Sequence, residues 1–121
     1  MVTGERDFDM IYPYSRDAMR LGRRDYRTPA GRLVGYIAGD TQRFDGIWLR
    51  DFIYSLPTYK YWEQEMQCGL DRFFEQQRPN GQVPDGIMRD GETWRTPLES
   101  DVEYIAVLGV WETWKATGDD A

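Results

Sequence analysis

The sequence contains no histidine and a single cysteine among its 121 residues. The usual zinc-ligand sets and the Ser-His and Cys-His nucleophile systems are thereby removed, and neither a metal nor a cofactor is expected. One cysteine forms no internal disulfide, so cysteine usage leaves the redox compartment open. Cys68 sits in a helical pattern and reads as a small buried hydrophobe. Nor is there a run of 18 apolar residues, or an apolar stretch in the N-terminal MVTGERDFDM. A soluble chain without an export signal is therefore expected, cytoplasmic by default. Basic residues are in deficit, 15 Lys and Arg against 21 Asp and Glu, for a net charge of −6. Phosphate backbones and anionic membranes are repelled on average, which argues against nucleic-acid and membrane partners.

Aromatic residues, by contrast, are abundant. Five Trp, eight Tyr and five Phe make up 15% of the chain, and many lie beside glycines and turn residues. Rings so placed line grooves as well as fill cores, and a sugar-binding cleft and a tightly packed helical interior both favour this composition. The length suits about one domain, with a core that buries roughly two thirds of the unfolded surface.

Along the chain, residues 9–21 fit a short helix, the charge cluster of residues 20–27 reads as a solvated connector, and the glycine-punctuated residues 28–42 suggest a short β-hairpin or extended loop. A firm helix is expected from about Thr58 to Gln77, because Trp62, Met66, Leu70, Phe73 and Phe74 recur at spacings of three and four. Pro79 and Asn80-Gly81 stop it, and the loop RPNGQVPDGIMRDGETWRTP follows. A loop that long in a small domain carries function or partial strand. A second helix is read from a capping box, with Ser100 on the backbone and Glu103 reaching back, to Lys115, closed by a left-handed Gly118. Its apolar residues, from Val102 to Trp114, cover more than one face, so further chain or a partner should pack on it.

Residues 44–52, FDGIWLRDF, place Arg50 and Asp51 directly behind Trp48. A guanidinium offers several fixed donors, a carboxylate accepts from two adjacent hydroxyls, and an indole stacks on the apolar face of a sugar ring. The same pair also fits a structural role, fixing a loop through backbone contacts or a mutual ion pair. Taken in order, FDGIWLRDF, an amphipathic helix, the QVPDG loop and PLESDVEYIAVLGVWETWKATGD resemble the opening hairpins of the six-hairpin glycosidases. These are the (α/α)6 barrels of glucoamylases, glycogen debranching enzymes and related bacterial α-glycosidases.

The resemblance covers residues 44–120 and leaves the N-terminal part, residues 1–43, unassigned. It implies a mainly α fold: helical hairpins of an incomplete (α/α)6 toroid over residues 44–121, preceded by the N-terminal helix and a short β-hairpin or extended segment. It also implies that Arg50 and Asp51 bind hydroxyls of the sugar at the point of cleavage, supported by Trp48, and it places Asp85 and Asp101 at the barrel mouth. Asp85 is equally an ordinary turn aspartate before glycine, and Asp101 is favoured in a first helical turn by the helix dipole. Glu103 is better explained as the capping-box partner, and Trp94 and Phe52 are as readily core as cleft. Glycoside cleavage needs an acid and a second carboxylate roughly 5 to 9.5 Å apart. In glucoamylase-like enzymes both come from later hairpins, so the catalytic pair stays unassigned.

A closed barrel of this kind needs well over 250 residues, so the chain is expected to be the first part of a larger enzyme. Three functions follow: a glycoside hydrolase acting on α-linked sugars, a noncatalytic carbohydrate-binding module, or a helical interaction protein. The partners expected are an oligosaccharide or glycoside and, for the aromatic helix, the remainder of the barrel or a second copy.

Overall fold

The computed structural model describes residues 3–37, 45–60 and 65–119. Four helices and two small antiparallel sheets occupy them, in the order α1 (Arg6–Gly22), β1 (Arg23–Thr28), β2 (Gly31–Tyr36), β3 (Gly46–Trp48), α2 (Leu49–Tyr59), α3 (Met66–Glu75), β4 (Gly86–Met88), β5 (Thr93–Trp94) and α4 (Val102–Thr117). This is an α+β arrangement, and it corrects the expectation of a mainly α, helical-hairpin toroid.

The strands lie where charge and glycine concealed them. Residues 23–28, read as a connector, form β1 and pair with β2 from Arg23 opposite Tyr36 to Thr28 opposite Gly31. β2 buries Leu33, Val34 and Tyr36, whereas β1 packs only Tyr26 against the core, which explains why the polar partner strand left no apolar period. The long glycine-rich loop contains β4 and β5. They complete a three-stranded sheet in which Ile47 faces Ile87 and Trp48 faces Gly86.

The expected helix from Thr58 to Gln77 is divided. α2 begins nine residues earlier than that reading, inside the Trp-Leu-Arg-Asp segment, and runs through Pro57, while α3 starts at Met66. Proline removes one backbone donor and normally ends a helix. Here Phe52, Ile53 and Leu56 are fully buried, and that packing outweighs the local preference. Trp62 and Phe44 lie outside the described residues.

At the far end, α4 begins at Val102, its first turn is preceded by Asp101, and no side chain caps it. The capping box is therefore absent: Glu103 instead accepts the Val83 N–H at 3.1 Å. Gly118 closes α4 with φ 68°, the left-handed geometry expected of it.

One core unites β2, the β3–β4 sheet and helices α2 to α4, with Leu33, Ile47, Phe52, Ile53, Leu56 and Phe73 at its centre. Gly69 allows α3 to lie directly on β2, since a side-chain carbon there would sit 2.0 Å from the Val34 carbonyl oxygen. Lys60 and Glu112 carry the only buried ion pair between α4 and the end of α2 among the described residues, Nζ to Oε2 at 2.5 Å. Cys68 is half-buried, with its thiol 3.2 Å from the Arg32 carbonyl oxygen, rather than fully enclosed.

Candidate functional site

A strand running straight into a helix fixes the first side of the site. β3 ends at Trp48, the Leu49 N–H donates to the Asp85 carbonyl at 2.7 Å, and α2 starts there, so Arg50 and Asp51 stand in its first turn. Buried Leu49 between them and the sheet locks the junction. The opposite side is the segment from Asp85 to the start of α4. Between the two sides lies a cleft of about 120 Å³, lined by Trp48, Arg50, Asp51, Asp85, Thr96 and Glu99 with apolar Leu49, Val102 and Ile105 at its base.

Four of the five site residues expected from sequence, Trp48, Arg50, Asp51 and Asp85, line this cleft, and the fifth is joined to it. Arg50 Nη2 donates to Glu99 Oε2 at 2.7 Å and to Asp101 Oδ1 at 2.9 Å. Its Nε and Nη1 donate to none of the described residues. Asp51 is different again. Its carbonyl accepts the Ser55 hydroxyl at 2.6 Å, but its carboxylate has no hydrogen-bond partner among the described residues. Burial pushes the Asp51 carboxyl above the ordinary aspartate value, partly opposed by the Arg50 charge.

Asp85 is buried and held by the scaffold. Its Oδ2 accepts the Thr96 N–H, and its Oδ1 lies 3.3 Å from Arg95 Nη1. Arg95 also donates to the carbonyls of Val83 at 2.9 Å and Glu99 at 2.8 Å, and it is ion-paired with Glu103 at 3.3 Å. Thus Arg95 ties together the loop that carries Asp85, Glu99 and Asp101. Neither Arg95 nor Glu99 stood out in the sequence. A lone arginine in TWRTP has no periodic or motif signal, whereas Glu99 adjoins the Ser-Asp pair that did attract attention. Phe52 is fully buried in the core, and Trp94 is exposed on the outer strand β5, so neither lines this cleft.

The assembly offers donors from Arg50, an acceptor in Asp51 that takes no hydrogen bond from the described residues, and an aromatic wall in Trp48. Such a set recognises neighbouring hydroxyls on one edge of a polyol. At about 120 Å³ the cleft falls below the roughly 300 Å³ at which drug-sized ligands are enclosed, so it suits one sugar edge rather than an oligosaccharide. Among the described residues no group of three Asp, Glu, Cys or His side chains is arranged to hold a metal ion. Likewise, no helix there is long and apolar enough to cross a membrane. Comparisons of the chain with protein-family models, curated proteins and solved structures give no match.

Proposed function

We propose that the chain is carbohydrate-active, that its cleft grips the hydroxyls of one sugar residue, and that it belongs to the glycoside-hydrolase lineage acting on α-linked glycosides. The carrying observation is the convergence of Trp48, Arg50, Asp51 and Asp85 on one cleft, from segments distant in sequence, with the Asp51 carboxylate accepting no hydrogen bond from the described residues. A half-buried carboxylate without a hydrogen bond is costly to the fold, and a ligand hydroxyl is the donor that would satisfy it.

In this reading Asp51 accepts hydrogen bonds from adjacent hydroxyls, Arg50 donates to a third oxygen, and Trp48 covers the apolar face of the ring. Glu99 and Asp101 hold Arg50 in position. Bond cleavage requires a general acid and a second carboxylate across the glycosidic bond, and neither role falls to Asp51, whose task is to hold the substrate. Where chemistry follows, contacts from Asp51 that tighten at the transition state contribute to rate as well as to binding. The test is titration with an α-linked disaccharide, its β-linked isomer and a non-sugar polyol, followed by amide chemical shifts. Shifts confined to residues around Trp48, Arg50 and Asp51 support the reading, and their absence with every sugar refutes it.

A further inference from the structure

Two apolar surfaces of this chain lie open and share no lining residue with the cleft. The first is a groove of about 500 Å³ between α3 and α4, floored by Leu70, Phe74, Val107, Val110, Trp111 and Trp114. Val107 is 65% and Trp111 52% exposed, and the Trp111 and Trp114 rings stack with centroids 5.0 Å apart. Its two charged lining residues, Asp71 and Asp119, are both acidic. The second surface is α1, none of whose residues is buried. Phe8, Ile11, Tyr12 and Met19 share one face of that helix at spacings of three, four and seven. Met19 reaches the core of its own chain, while Phe8 is 67% and Tyr12 74% exposed. No α1 residue lines the groove of its own chain.

We infer that the chain forms a reciprocal dimer in which the apolar face of α1 from each copy lies in the α3–α4 groove of the other. An amphipathic helix in a hydrophobic groove is a recurrent mode of recognition, read as anchors at helical spacing. Charge favours α1 as the occupant within an acidic chain. Arg16 and Arg20 flank Asp9 on the edge of its apolar face, and with Arg6 they balance Asp7, Asp9 and Asp17, so α1 is neutral in a chain of net charge −6 and approaches the acidic margin of Asp71 and Asp119 without adding negative charge. The Arg16–Asp17 ion pair is on the surface and costs little to exchange. The area also fits. The chain exposes 8257 Å², whereas a compact monomer of 14.3 kDa exposes about 6,800 Å², an excess of about 1,450 Å² against the roughly 800 Å² each partner buries in a standard interface. Reciprocal contacts give a closed two-fold assembly.

Sedimentation equilibrium of the full chain from micromolar to sub-millimolar concentration tests this. Dimers are expected, with Tyr12→Glu and Val107→Glu each raising the dissociation constant by about tenfold or more. Tyr54→Glu, at an exposed site on α2 outside both surfaces, should leave it unchanged. Circular dichroism verifies that each variant is folded, and Tyr12→Glu serves even if Val107→Glu is not, because α1 buries no residue. Mixing Tyr12→Glu with Val107→Glu chains leaves one intact α1 facing one intact groove, so a heterodimer should form that neither variant forms alone. A monomeric wild type, dimers insensitive to Tyr12→Glu, loss of dimers with Tyr54→Glu, or no heterodimer on mixing would each overturn the proposal. None of these outcomes bears on saccharide binding in the cleft.

Discussion

Arg50 and Glu99, 49 positions apart in the chain, meet at 2.7 Å across the cleft, and the same Arg50 nitrogen reaches Asp101. That contact joins the first turn of α2 to the segment leading into α4, and it orients the guanidinium beside Asp51.

Both partners are about 40% exposed, so the pair contributes more to position than to stability. A double-mutant cycle of Arg50→Ala and Glu99→Ala, read by urea unfolding, should give a coupling energy of about 1 kcal/mol or less. Glu99→Gln should nevertheless weaken saccharide binding, because an unanchored Arg50 must be ordered by the ligand. Wild-type affinity in Glu99→Gln would remove Glu99 from the account.

Asp51 and Glu112 have opposite pH signatures. Hydrogen bonds from Lys115 and Lys60 hold Glu112 below the ordinary glutamate range. Its depressed folded-state value means that its stabilisation is present above the unfolded value and is lost as pH falls through the folded one. Glu112→Gln should therefore flatten the acid limb of the stability curve, measured as melting temperature against pH. An acid limb as steep as that of the wild type would show that other carboxylates dominate.

For Asp51 the folded value is raised by burial, so ionisation opposes folding as pH climbs above the ordinary aspartate range. Asp51→Asn should melt at or above the wild-type temperature at neutral pH. A clear loss of stability would mean that the carboxylate is a structural anchor.

Removing charge from the buried pair is another matter. Glu112→Ala withdraws the carboxylate that lies 2.5 Å from the Lys60 ammonium, and loss of one partner of a buried pair costs about 3 kcal/mol or more. Denaturant unfolding measures this directly, and a cost below about 1 kcal/mol would place the pair among solvent-screened contacts.

Close packing of α3 on β2 gives a further test. Gly69→Ala forces a carbon against the Val34 carbonyl and should cost about 1–3 kcal/mol, although alanine is the better helix former. Neutral or increased stability would show that α3 slides freely on the strand.

The grouping of the site was more legible in the sequence than its frame. Trp48, Arg50, Asp51 and Asp85 were linked by motif order, and the structure lines one cleft with them. The stripe Met66, Leu70 and Phe73 is the buried face of α3, and Gly118 ends α4 as its position beyond the last apolar turn required. Local signals failed where distant contacts decide. The helix read from Thr58 missed α2, which runs through Pro57 because Phe52, Ile53 and Leu56 are buried, and β4 and β5 are too short to show a period of two. Ser100 and Glu103 matched a capping box by spacing alone, but Glu103 is engaged by Val83 and Arg95 from the facing loop. The breadth of the α4 apolar surface was correctly visible as residues in excess of one face. In the structure Tyr104, Val107, Val110 and Trp111 on that surface are exposed.

Isothermal titration of wild type and Asp51→Asn with an α-linked disaccharide reads directly whether the Asp51 carboxylate accepts sugar hydroxyls. Saturable binding by the wild type is expected, with a loss of about tenfold or more in Asp51→Asn, a folded protein that still carries Arg50 and Trp48. Equal affinity in the two proteins, or no heat of binding from the wild type at millimolar sugar, would contradict it.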